Sequence, residues 1–197
     1  MSKPNLFFST PVWTFQINNY ENVNEEMYNY IKSEQKKDGT GITKSNIKGW
    51  HSKDFSLETK EPQNFINLIL PSIEQVMVDM NWEKQKQKIR ISNMWAIINT
   101  GGSANLRHQH GNSTISGAYY VKAPENSGDI VFYDPRPAPV YSYPKALNPN
   151  ILNAQVNGIS PKEGALVLFP SYLDHSVNEN MSNNERIVIS FNITIKM

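Results

Sequence analysis

The chain has 197 residues, a formal charge of +1 and 39% hydrophobic residues. That is enough for one domain with a core, and too close to neutral to argue for a nucleic-acid or membrane partner. It has no cysteine, so disulfides and thiolate metal sites are excluded and any metal must rest on histidine, carboxylate and water. The opening Met1-Ser-Lys-Pro-Asn-Leu-Phe-Phe-Ser-Thr lacks the apolar core of a signal peptide, and no apolar run reaches the length of a membrane span. The expected setting is therefore soluble and cytoplasmic.

In chain order, Leu6 to Ile17 reads as an extended strand interrupted at Pro11. Asn22 to Lys37 predicts a helix: Val23, Met27, Tyr30 and Ile31 recur near helical spacing, and Glu21, Glu25 and Glu26 favour its N-terminal end. It should stop before Asp38-Gly39. Asn46 to Leu57 is irregular; its His51 reads as a surface or loop residue rather than a ligand. Pro62 to Trp82 predicts a second helix with a stripe of Phe65, Ile69, Ile73, Val76, Met77 and Met80, kinked or split at Pro71. The methionines are core filler. Lys84, Lys86 and Lys88 alternate with glutamines, which fits a solvated strand edge better than a nucleic-acid patch.

From Ile89 onward the pattern is strands: Ile91 to Thr100, His108 to Val121, Gly128 to Tyr133, Ala165 to Phe169 and Arg186 to Ile195. In the last, Ile187, Ile189, Phe191, Ile193 and Ile195 share one face, and Arg186, Val188, Ser190, Asn192 and Thr194 the other. A polar face of Arg, Ser and Asn suits the ligand-lined inside of a small barrel. Short strands with Gly and Pro turns predict a sandwich or jelly roll. The segment 134–162 is long and proline-broken, a pattern that usually marks a functional or mobile loop.

The chemistry concentrates in the histidines, of which there are four. On an extended strand, His108 and His110 would share a face while Gln109 looks away. An isolated His-x-His is as easily an ordinary polar pair at a strand end. With a third ligand from a distant strand, however, it closes one triangular face of an octahedron and leaves the opposite face open, the logic of a non-haem iron site. His175 and then Arg186 follow downstream, the arginine an anchor for an anionic co-substrate.

The ordered set Gly49-Trp50-x-Ser52, His108-x-His110, Ser116-Gly117-x-Tyr119-Tyr120, Phe132-x-Asp134-Pro135-Arg136, Gly164-x-Leu166-x-Leu168-Phe169-Pro170-Ser171, His175 and Arg186-Ile-x-Ile-Ser-Phe-Asn192 resembles the iron(II)/2-oxoglutarate-dependent dioxygenases. It is similar in particular to a 2OG-Fe(II) oxygenase family of marine bacteria and their phages. The likeness runs from Leu6-Phe7 to Asn192.

The resemblance implies a mainly β fold with N-terminal helices. This is the double-stranded β-helix, a cupin-like jelly roll, here one domain over 1–197 with helices mainly in 20–82 and a metal-binding barrel over 89–197. It implies iron(II) on His108, His110 and His175, with His110 at the place usually held by Asp or Glu. It implies 2-oxoglutarate gripped by Arg186, with Asn99 and Tyr120 as weaker co-substrate contacts and Asp134 and Arg136 at the substrate mouth. The implied partners are 2-oxoglutarate, dioxygen and an unknown substrate, with no nucleic acid or membrane. The implied reaction hydroxylates that substrate and releases succinate and carbon dioxide. Val188 stands where many relatives carry Ser. Three neutral imidazoles also fit a cupin-like three-histidine dioxygenase that uses no 2-oxoglutarate. A barrel that binds metal or ligand without turnover is the reading from outside enzymology.

Overall fold

The computed structural model describes residues 3–83, 88–136 and 144–196. Two helices come first in the fold's logic because they cover one sheet. Helix α1 spans Glu21–Lys37, with Glu21 in its first turn and Lys36 and Lys37 in its last, each charge placed to oppose the helix dipole. Helix α2 spans Lys60–Asp79 and is continuous through Pro71, against the expectation of a split. Pro71 deprives the carbonyl of Asn67 of its helical partner, but both residues lie on the exposed face, where water can satisfy it.

The strands are β1 (Trp13–Gln16), β2 (Asn46–Ile47), β3 (Trp50–His51), β4 (Lys88–Asn99), β5 (Ala104–His108), β6 (Ile115–Lys122), β7 (Ile130–Tyr133), β8 (Val156–Ile159), β9 (Ala165–Pro170), β10 (His175–Val177) and β11 (Arg186–Lys196). They form a six-stranded sheet, β1-β9-β6-β11-β4-β3, and a five-stranded sheet, β2-β5-β10-β7-β8. Every pairing is antiparallel. The mainly β jelly roll with N-terminal helices is the architecture expected.

Three element expectations change. The opening strand covers only Trp13–Gln16. The stretch 46–57 contains two short strands, one in each sheet. The run His108 to Val121 is two strands, and the chain turns between them. Lys84 and Lys86 lie outside the described residues, as do Pro137, Pro139, Tyr141 and Tyr143 of the proline-broken segment. Lys88 opens β4 and is exposed.

The alternation in β11 decides the layering. Ile187, Ile189, Phe191 and Ile193 pack with Met27 and Ile31 of α1 and Phe65, Ile69 and Ile73 of α2. Residues of this core such as Phe65, Ile69, Leu166 and Ile189 are fully buried, each worth about 1.5–3 kcal/mol of transfer free energy. One polar contact pins α1 to this sheet: the Tyr119 hydroxyl donates to Asn24 Oδ1 (2.7 Å), and Asn24 Nδ2 donates to the Val121 carbonyl (3.0 Å). The other face of the sheet looks inward. There Ala118, Tyr120, Val167, Phe169 and Val188 meet Ile130 and Phe132 of the five-stranded sheet. Residues of both sheets also line a cavity of about 800 Å³.

The chain crosses from one sheet to the other at Lys48-Gly49, both with positive φ (53° and 57°). Gly49 is required here twice over: by its φ, and because an added Cβ would sit 2.6 Å from Asn99 Oδ1. This corner sets Ser45 on one wall of the cavity and His51 on another.

Candidate metal centre

Three imidazoles converge at the mouth of the cavity. His108 ends β5, His175 opens β10, and the two are register partners across the ladder. His110 lies beyond the end of β5. Its position is held by its own backbone N–H, which donates to the Ser171 carbonyl (2.9 Å). Convergence therefore comes from a turn closed onto the β9 end, and the expected two-residue strand repeat does not extend to His110. Gln109 is exposed between the pair. One nitrogen from each of His108, His110 and His175 lies within 4.8 Å of the others.

The protonation of the group suits a metal. His108 Nδ1 faces the Leu106 carbonyl (2.7 Å), and His175 Nδ1 faces the Leu173 carbonyl (3.0 Å). A carbonyl only accepts, so both Nδ1 atoms carry the proton and both Nε2 atoms carry a lone pair, an arrangement typical of metal-bound histidine. Burial lowers the His108 pKa, lowers that of His110 to about 4, and lowers that of His175 to about 3, the last two helped by the neighbouring His108. All three are neutral imidazoles at neutral pH, the form that ligates. On this donor chemistry the residues fit a divalent metal.

Arg186 opens β11 and is 1% exposed, yet lines the same cavity. Its Nη1 donates to the carbonyls of Ser127 (2.5 Å) and Gly128 (2.7 Å). Its Nε is buried without a partner, and among the described residues no carboxylate forms an ion pair with it. Burial depresses its pKa, offset by the nearby Tyr120 and Asp129, but a guanidinium stays charged. Tyr120 also lines the cavity, its phenol pushed up to about 12 by burial and so a neutral donor.

The family model described as "Putative 2OG-Fe(II) oxygenase" matches residues 93–192, about half of the chain and nearly all of its strands from β4 to β11. The chain belongs to this family. The oxygenase accordingly works with iron(II) and 2-oxoglutarate, with dioxygen as a further co-substrate. No curated protein matches the sequence. Several solved structures share the fold. A viral collagen prolyl hydroxylase from Paramecium bursaria Chlorella virus-1, in complex with 2OG, aligns at TM-score 0.61 and 14% identity, over 92% of this chain and 94% of that one. A Pseudomonas putida prolyl-4-hydroxylase aligns at TM-score 0.60 and 10% identity, over 93% of each chain. HygX from Streptomyces hygroscopicus, with nickel and 2-oxoglutarate bound, aligns at TM-score 0.64 and 9% identity, over 94% and 83%.

The remaining expected residues of the oxygenase fall elsewhere. Asn99 is fully buried at the end of β4, opposite Arg186 in register. Its amide donates to Asn105 Oδ1 (3.2 Å), and it is absent from the cavity lining. Asp134 and Arg136 pair with each other (Arg136 Nε to Oδ1 3.0 Å, Nη2 to Oδ2 2.8 Å) and also stand away from the cavity lining. The Arg136 bond holds the Asp134 carboxyl below its usual range.

His51 is a correction. It is 6% exposed and lines the cavity, stacked on Trp95 with ring centroids 5.7 Å apart and planes 7° from parallel. It is not part of the three-histidine group. Sequence reasoning also missed Trp95, whose indole Nε1 is buried without a partner, and Arg107. Arg107 clasps Asp174 (Nη2 to Oδ2 2.6 Å) and lies over the Tyr133 ring at 4.2 Å. Those two charged residues directly precede His108 and His175, so the clasp ties together the strands that carry two of the imidazoles.

Proposed function

We propose that this oxygenase hydroxylates an unidentified substrate at iron(II) held by His108, His110 and His175, and that 2-oxoglutarate is oriented by Arg186 with help from Tyr120. The observation that carries the reading is Arg186: a buried guanidinium with an unpartnered Nε and, among the described residues, no ion-paired carboxylate, in the same cavity as three neutral imidazoles. A buried charge of that kind is costly unless it is paired, and a planar carboxylate is its best geometric match.

When bound, iron(II) and 2-oxoglutarate supply the oxidising chemistry, with succinate and carbon dioxide as co-products. The chain's own contributions are separate ones. His108 and His175 present Nε2 because backbone carbonyls hold the Nδ1 protons. Arg186 and the neutral Tyr120 phenol supply positive charge and a donor at the cavity's buried end. Phe169, Val188 and Ile130 give the cavity an apolar wall. His51, Trp95 and Asn93 offer polar atoms on the cavity wall for the substrate.

The test is calorimetric titration of 2-oxoglutarate into the protein saturated with manganese(II), beside the metal-free protein. Binding that requires the metal is expected. No binding by the fully metallated protein would remove 2-oxoglutarate from this site.

A further inference from the structure

Two buried asparagines and the half-buried Ser45 form a polar chain that ends on the metal-facing nitrogen of His108. Asn99 Nδ2 donates to Asn105 Oδ1 (3.2 Å), and Asn105 Nδ2 donates to Ser45 Oγ (3.3 Å). Ser45 Oγ then meets His108 Nε2 at 3.5 Å. The direction of each bond follows from the first. An amide oxygen only accepts, so Asn105 is oriented with its NH₂ toward Ser45. Ser45 Oγ is thereby used as an acceptor, and its hydrogen is left to donate. The Nε2 of His108 has no proton, because Nδ1 carries it against the Leu106 carbonyl. The hydroxyl hydrogen of Ser45 therefore points at the atom that the three-histidine group offers to a metal.

A metal and this hydrogen cannot share one lone pair. The contact is also long for an O–H···N bond, so little is lost when it opens. Ser45 and Asn105 both line the cavity, and Asn105 is 4% exposed and Asn99 fully buried, so the donor is held from behind while its hydrogen remains free to swing.

We propose that Ser45 is a co-substrate-binding residue: once metal takes His108 Nε2, the Ser45 hydroxyl, held by Asn105 and Asn99, donates to a 2-oxoglutarate oxygen beside His108. The inference rests on the reading of the site given above. Asn105 is a positioning residue that acts through Ser45. The binding role assigned to Asn99 from the sequence thus becomes indirect, through the chain of amides.

The experiment measures manganese(II) affinity, and then 2-oxoglutarate affinity at saturating manganese(II), by calorimetry on wild type, Ser45→Ala, Ser45→Thr and Asn105→Ala. For Ser45→Ala the expected result is unchanged or slightly tighter metal binding, since a competitor for Nε2 is gone, and about tenfold weaker 2-oxoglutarate binding, equivalent to ~1.4 kcal/mol. Ser45→Thr keeps the hydroxyl and should stay within about threefold of wild type, with Asn105→Ala between the two. If Ser45→Ala weakens metal binding and leaves 2-oxoglutarate affinity alone, Ser45 serves only to orient His108 and the proposal falls. Equal affinities for both ligands in Ser45→Ala and wild type overturn it as well. Wild-type protein that binds manganese(II) but no 2-oxoglutarate fails the underlying reading and this one together, so the two failures are told apart by the wild-type trace.

Discussion

His175 faces His108 directly across the β5–β10 ladder, with ring centroids 4.3 Å apart. Burial holds both rings neutral, and both bond a backbone carbonyl through Nδ1. Two unprotonated ring nitrogens within one three-histidine group suit a shared metal, and that can be tested residue by residue.

The first test is iron content. His108→Ala, His110→Ala and His175→Ala are each expected to lose most of the bound iron, whereas His51→Ala, which removes a cavity-wall ring outside the group, should keep it. Elemental analysis after anaerobic reconstitution reads this out. Full iron occupancy in His110→Ala would take that residue out of the ligand set.

Arg186 should govern the co-substrate and leave the metal alone. Truncating one partner of a buried charge-assisted pair costs about 2–5 kcal/mol, so Arg186→Ala is expected to weaken 2-oxoglutarate binding by roughly 30-fold or more. Arg186→Lys should recover part of this, because it restores charge without the planar fork. Calorimetry at saturating manganese(II) measures both variants. Unchanged affinity in Arg186→Ala would move the anchor elsewhere in the cavity.

The histidines also predict a pH dependence for the metal-free protein. The pKa values of His110 and His175 are lowered from 6.5 to about 4 and about 3. Between those values and 6.5 the unfolded chain binds more protons than the folded one. Stability is therefore full above about pH 6.5 and falls as the pH drops toward 4, with a slope of up to about 1.4 kcal/mol per pH unit for each histidine. Thermal melts of metal-free protein from pH 8 to pH 4 should show this. The His175→Ala variant should show a shallower loss over the same window. An equal slope in wild type and variant would contradict the burial argument.

Gly117 tests the packing beneath the site. It pairs with Phe191 in register, and a Cβ there would lie 2.3–2.7 Å from three atoms of the Phe191 ring. Gly117→Ala should destabilise the fold by about 1–3 kcal/mol. For a chain of this length that lowers Tm by roughly 2–4 °C per kcal/mol. Differential scanning calorimetry decides it, and an unchanged Tm would mean that Phe191 has room to turn.

The parts of this structure that a sequence discloses are those with a period. The alternation of β11 separated the cavity face from the helix-packed face residue by residue, because both faces are buried against different chemistry. The helices showed the same way, in Met27 and Ile31 and in Phe65, Ile69 and Ile73. What escaped were contacts without a period. His51 sits on a two-residue strand, too short to show alternation, and is buried by its edge pairing to β4 and by Trp95. His110 looked like the next position of a strand, but the strand ends at His108 and a single backbone bond to Ser171 aims the ring. Pro71 looked like a break because the sequence does not say which face of the helix meets water. Asn99, a weaker co-substrate contact in the expected reading, turns its amide to Asn105.

The three imidazoles hang from the five-stranded sheet and the turn beyond β5, whereas Arg186 belongs to the six-stranded sheet. A small diacid gripped at one end through the metal and at the other by the guanidinium would act as a rivet between the layers. Metal by itself braces only one leaf of the sandwich, and 2-oxoglutarate without metal has a hold on only the other. Occupancy of both would then be mechanically different from the sum of each, because only the loaded enzyme has its two leaves tied together across the cavity.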